Sequence, residues 1–186
     1  MRNSCCFFVA VALATACAEA AAAANLLPNG DFSTANQLQG WSCLGGAWNS
    51  DDAASTVGSG SMALQNSGNV AGNCTSPCIA VRPGAAYSLG GQSRVLFGNP
   101  VITFACAQTN TTQCNSFTFD LQGPAMAVGN AWNAVPASAS GILANSTLSL
   151  KCTLTLGSAD LGNVSGHFDN LFFTTDVIFA TSFETP

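Results

Sequence analysis

Positive charge is almost missing from this chain of 186 residues, in which Lys and Arg together number 4 against 9 Asp and Glu, for a formal net charge of -5. Nucleic-acid binding draws on basic side chains facing phosphates, so this balance excludes it. Histidine is reduced to His167, and the only glutamates are Glu19 and Glu184. Glycoside hydrolysis usually needs two opposed carboxylates, whereas the adjacent Asp51 and Asp52 would point to opposite faces of a strand. Ser59 lies in Gly-Ser-Gly-Ser rather than in a Gly-x-Ser-x-Gly elbow. His167 reads as an ordinary strand residue, and phosphate-loop and dinucleotide signatures are absent. The chain therefore reads as non-catalytic, with no internal repeat and no amphipathic helix beyond residue 24.

The hydrophobic run near the start is too short to cross a membrane, which takes about 20 apolar residues. Arg2 gives it a positive entry, residues 5–16 are apolar, and Ala22, Ala23 and Ala24 form a small-residue cleavage site, so residues 1–24 read as a signal peptide. Lipidation of Cys17 is the alternative, though Ala14 stands where such signals usually carry Leu. Either way the chain is expected outside the cytoplasm, secreted, extracellular or periplasmic. About 160 residues remain, enough for one core. With 48% of residues hydrophobic, disorder is excluded. Only 7% are charged, so the surface must rely on Ser, Thr, Asn, Gln and Gly for solubility.

Six cysteines follow the leader: Cys43, Cys74, Cys78, Cys106, Cys114 and Cys152. An even number in an exported chain reads as three disulfides, drawn from 15 possible pairings. Cys106 and Cys114 flank a polar, turn-like stretch, which suggests a bridge across a hairpin. A local Cys74–Cys78 bridge would then leave Cys43 for Cys152. Zinc is disfavoured, because Cys74 and Cys78 are not a CxxC pair and no second pair exists.

Apolar residues recur with a period of two. Leu148, Leu150, Cys152, Leu154 and Leu156 alternate with Ser149, Lys151, Thr153 and Thr155, the pattern of a strand with one face in a core. The same alternation runs through Ile102, Phe104 and Cys106 and through Phe117, Phe119 and Leu121. Segments 79–82 and 87–95 flank a Pro83-Gly84 turn, and further strands are expected at 26–32, 61–65, around Ile142 and at 168–174. Many short strands between Gly, Pro, Asn and Ser turns indicate an all-β antiparallel sandwich over residues 25–175. The two ends of this domain, 25–32 and 166–173, read as its first and last strands lying side by side, with Asp31 and Asp169 available to hold a cation between them.

In order along the chain stand Asn25-Leu-Leu-Pro-Asn-Gly-Asp-Phe, Gly40-Trp41, Gly58-Ser-Gly-Ser-Met-Ala-Leu64, Cys78-Ile-Ala-Val-Arg-Pro-Gly-Ala-Ala-Tyr-Ser-Leu89 and Phe168-Asp-Asn170. This series resembles the cellulase-type carbohydrate-binding modules of the galactose-binding-like superfamily. The resemblance implies a jelly-roll sandwich, a glycan or polysaccharide as partner, and a structural Ca²⁺ held by Asp31, by Asp51 or Asp52 from a loop, and by Asp169. Ser33 departs from the pattern, since relatives often place a Glu there. Residues 176–186 resemble a short tail at the end of many exported proteobacterial proteins.

Sugar recognition needs flat apolar rings and side-chain amides or hydroxyls in a preformed cleft. Trp48, between Gly45-Gly46 and Asn49-Ser-Asp-Asp, reads as the exposed platform, with Gln92, Arg94 and Asn99 on the same open face. Trp41, Trp132 and Tyr87 read as core. Two functions follow: a monomeric secreted protein that binds a glycan without chemistry, or a structural or cell-surface protein that keeps the jelly roll without a sugar site.

Overall fold

The computed structural model describes residues 23–33, 35–67 and 70–176. Cys17, nearly all of the expected leader and the tail beyond Asp176 lie outside the described residues. Eleven strands run antiparallel: β1 (Ser42–Leu44), β2 (Gly46–Asn49), β3 (Ser61–Asn66), β4 (Gly72–Thr75), β5 (Ile79–Ala80), β6 (Ala86–Phe97), β7 (Pro100–Thr109), β8 (Phe117–Gln122), β9 (Ala137–Ile142), β10 (Ser149–Ser158) and β11 (Val164–Thr175). One sheet has the order β1-β4-β10-β7-β8, with β5 added beside β10, and the other has β2-β3-β11-β6-β9. The described residues contain no helix, and the expected all-β sandwich is what they form.

Between the sheets, alternation does what the sequence pattern requires. On β10, Leu150, Cys152, Leu154 and Leu156 are buried while Lys151, Thr153 and Thr155 stay half-exposed. The expected phase fails at the start of the strand, where Ser149 is 0% exposed and Leu148, just ahead of it, is 39% exposed. From the opposing sheet Met62, Leu64, Leu89, Phe168, Leu171 and Phe173 complete the core. Each such side chain contributes roughly 1.5–3 kcal/mol by leaving water, so a one-residue slip in register would expose a whole row of them.

Two expectations about the chain's path are corrected. Residues 26–32 form turns instead of a strand, because Pro28 has no amide hydrogen to donate and Asn29 and Phe32 adopt left-handed backbone angles. The segment still lies against β11. The Asn25 side-chain amide donates to the Leu171 carbonyl at 2.8 Å and its oxygen accepts from the Phe173 amide at 3.0 Å, while the Leu26 amide reaches the Phe173 carbonyl at 2.8 Å. The second correction concerns 79–82, where pairing with β10 stops after Ala80.

All six cysteines are bonded, but none of the three expected pairs forms. The bridges are Cys43–Cys74, Cys78–Cys114 and Cys106–Cys152. Register explains two of them: Cys43 sits opposite Cys74 on β1 and β4, and Cys106 opposite Cys152 on β7 and β10. Cys106 points into the core, whereas Cys114 lies beyond the end of β7, where it meets Cys78 from the loop ahead of β5. The expected hairpin bridge is thereby excluded, each of its sulfurs being bonded elsewhere.

Non-reducing peptide mapping should recover these three pairs, and a Cys106–Cys114 peptide would refute the register. The Cys106–Cys152 bridge closes a separation of 46 residues. Its loss in a double Ala variant should lower the stability read from urea unfolding by about 4 kcal/mol on the chain-entropy account.

Candidate functional site

Strand register decides which side chains face the core and which face outward on the five-stranded sheet. Trp48, Met62, Phe168 and Ser93 occupy one cross-strand row, and Met62 and Phe168 are fully buried, so this row points inward. Ala47, Ala63, His167 and Arg94 form the neighbouring row, which by strand alternation points out. Asp169 and Gln92 are the next outward pair on β11 and β6.

Trp48 is therefore not the exposed platform expected of it. Its ring is half-buried against the core, and its indole nitrogen donates to the Phe32 carbonyl at 2.8 Å. Gly60 makes room for it: a Cβ there would stand 2.5 Å from that nitrogen. The glycines around Trp48 suggested an open surface, yet they serve close packing.

Two connections from opposite edges meet above the outward face. Residues 50–60, joining β2 to β3, cross toward β11, where the Ala53 amide donates to the Asp169 carboxylate at 3.0 Å. Residues 123–136, joining β8 to β9, run along β6 where β9 ends. Their Gly129 carbonyl accepts from the Val95 amide at 2.7 Å, and the Asn133 side chain accepts from the Ser93 amide at 2.9 Å. The first loop brings in Asp51 and the second brings in Trp132.

Asp51 is the centre of the resulting cluster. It accepts from Arg94 at 3.2 Å and lies 2.8 Å from the His167 Nδ1, with the Trp132 indole nitrogen at 3.5 Å. Trp132 and His167 are 6.5 Å apart, ring centre to ring centre. Arg94 and Asp51 keep side-chain exposures of 31% and 30%, whereas His167 retains 9%. A pair this open adds at most about 1 kcal/mol to folding, so its main effect is to fix where the guanidinium and the indole stand. The row's other members, Ala47 and Ala63, leave the surface low beside them.

Of the expected ligand residues, Arg94 and Gln92 share this face and Asn99 does not. Gln92 is buried and fully engaged, donating to the Asn133 carbonyl and accepting from the Asn170 amide, each at 2.6 Å. It positions the β8–β9 connection. Asn99 sits in the turn between β6 and β7, its carbonyl taking the Ala159 amide at 3.0 Å. Trp132, expected in the core, stands instead on a loop and half-exposed. His167, expected as an ordinary strand residue, is placed on the outward row by its register with Ala63 and Arg94, its neighbours across the strands.

The three acids expected to share a cation lie near one another without forming a ready ligand set. Among the described residues no group of three His, Cys, Asp or Glu side chains is gathered to hold a metal. Asp52 is turned to the Thr56 amide at 2.9 Å, and exposed Asp31 uses its backbone carbonyl to accept from Ser59. Asp169 is 0% exposed and accepts from the Ala53 and Asn170 amides. Burial pushes its pKa up to about 6, helped by the nearby Asp52 and Asp31 charges and opposed by those two hydrogen bonds. A buried carboxylate beside two more has the oxygen chemistry that Ca²⁺ takes.

The fold, two antiparallel sheets packed into a β-sandwich, is shared by known carbohydrate-binding modules. A family 16 carbohydrate-binding module matches at a TM-score of 0.56 and 17% identity over 81% of this chain and 99% of its own. A family 61 module solved with β-1,4-galactotriose matches at 0.55 and 13% identity over 82% and 99%. The enzymatically active domain of bacteriophage CBA120 tailspike protein 4 matches at 0.63 and 15% identity over 82% of this chain, which spans only 21% of that protein's length. No protein-family model and no curated protein matches the sequence. The similarity is one of fold.

Replacing Trp48 with Ala should cost about 3 kcal/mol in urea unfolding, the low end for a Trp truncation because the ring is only half-buried. A stability within 0.5 kcal/mol of the parent, about the range of a neutral surface change, would return Trp48 to the surface. Asp169 makes a second prediction. Its folded pKa lies above the unfolded value of 3.8, so the native state holds the extra proton and stability falls as pH rises from about 4 through 6. The loss should be on the order of 3 kcal/mol in chelator, and an Asp169→Asn variant should lack it.

Proposed function

We propose that the chain is a secreted, non-catalytic protein that binds an extracellular glycan on the outward face of the five-stranded sheet. The observation that carries this reading is the gathering of Trp132, Arg94, Asp51 and His167 on one open surface. Trp132 offers a flat face for a pyranose ring, while Arg94 and Asp51 offer a donor and an acceptor to its hydroxyls. The fold shared with carbohydrate-binding modules supports the same assignment, and three disulfides support an oxidising compartment.

Charge narrows the ligand. The face's cation, Arg94, is already paired with Asp51, and Asp52 and Asp169 lie close by. A uronate or a sulfated sugar would find the Arg94 guanidinium already committed to Asp51, so the ligand is a neutral glycan. Calorimetry with neutral oligosaccharides should show binding that Trp132→Ala weakens about tenfold or more, a ring contact being worth roughly 1.4 kcal/mol or above. Unchanged affinity in a folded Trp132→Ala protein would overturn the site.

Calcium is proposed on the strength of the buried Asp169, with Asp52 and Asp31 as its acidic neighbours. A bound ion would lower the Asp169 pKa and tie the 50–60 loop to β11. Millimolar calcium should raise the melting midpoint relative to chelator, by about 2.7 kcal/mol of stability at a hundredfold excess over the dissociation constant. Identical midpoints would leave the three aspartates as loop-fixing residues.

A further inference from the structure

At the far end of the same sheet a second group of polar side chains surrounds an exposed ring. Phe97, the last residue of β6, is 64% exposed. Its cross-strand partner on β11 is Ser165, which in turn pairs with Gln65 on β3. Between Ser165 and Gly166 the register shifts, so Leu96 has no partner of its own and the end of β6 turns outward. Such an irregularity re-aims side chains. Gly98 completes the arrangement with a φ of +86°, in a turn so close to Asn163 and Val164 that a Cβ would overlap both. The chain thus holds a large apolar ring in water by backbone geometry that an ordinary side chain at 98 would not allow.

A cleft of about 300 Å³ opens beside that ring, lined by Gln65, Asn66, Ser67, Asn163 and Ser165 together with Phe97 and Val164. This is the lower end of the size range for ligand pockets, which begins at about 300 Å³. Its lining is amide and hydroxyl with no charged side chain. Hydroxyl-reading groups around one flat apolar face are the chemistry that a neutral sugar ring satisfies. A charged ligand would find no partner there.

We infer that the Phe97 cleft is a second sugar-binding subsite and that one neutral oligosaccharide runs along the outward face from Trp132 to Phe97. This rests on the glycan-binding reading of the Trp132 cluster. Phe97 is three residues beyond Arg94 on β6, about 10 Å at strand rise, so a chain must extend over several sugar units to reach both rings. The protein would therefore select for length, binding short oligosaccharides at Trp132 alone.

Calorimetry on the oxidised protein with neutral β-1,4-linked di- and hexasaccharides tests this, alongside Phe97→Ala, Gln65→Ala and Trp132→Ala variants. The hexasaccharide should bind the parent at least tenfold more tightly than the disaccharide. Phe97→Ala should remove that advantage, Gln65→Ala should reduce it, and neither should alter disaccharide affinity or the melting midpoint. Equal hexasaccharide affinity in the parent and a folded Phe97→Ala protein would overturn the second subsite while Trp132→Ala still reports on the first. Absence of binding to either oligosaccharide in the parent would overturn both.

Discussion

The register of β11 is the constraint from which both the core and the candidate site follow. Phe168 is fully buried opposite Met62, and moving it to the surface would forfeit roughly 3 kcal/mol before its neighbours are counted. With Phe168 fixed inward, His167 and Asp169 must face out, because successive side chains on a strand alternate. The Asn25 side chain clamps the same strand at Leu171 and Phe173, and Gln92 holds it through Asn170. A single slipped residue would thus dissolve the core and dismantle the outward cluster together.

Electrostatics on that outward face are economical. Asp51 serves Arg94 and His167 at once, so the face carries no isolated cation, and the indole of Trp132 is drawn to the same carboxylate. Asp169 is less comfortable, since burial and two acidic neighbours favour its protonated form. Amides from Ala53 and Asn170 offset part of that cost. The 50–60 loop is thereby fastened to β11 through a carboxylate whose ionisation burial opposes.

The disulfides belong to the scaffold. Two of them join residues that the sheets had already placed opposite one another, and all three lie on strands or loops of the six-stranded side. Low surface charge leaves this chain few ion pairs to draw on, and cross-links that restrict the unfolded chain compensate. The outward face of the other sheet is left free of covalent ties, and its shape is set by two connections and a strand irregularity.

What the sequence determined by itself was what depends on alternation, namely β10, β7 and β8 and the sandwich class, and, from an even cysteine count, the oxidised state of six cysteines. Period two is a local property, so it survives without knowledge of partners. Cysteine pairing was not legible, because which sulfurs meet depends on the register between strands distant in sequence, such as Cys106 and Cys152. The exposure of Trp48 was not legible for a related reason: local glycines cannot tell an open loop from a tight contact, and the difference lay in Gly60 and Phe32 standing beside the ring. Phe97 lies beyond the strand expected at 87–95. Only the shifted pairing of β6 with β11 turned it into water, since exposure is fixed by what neighbouring strands leave uncovered.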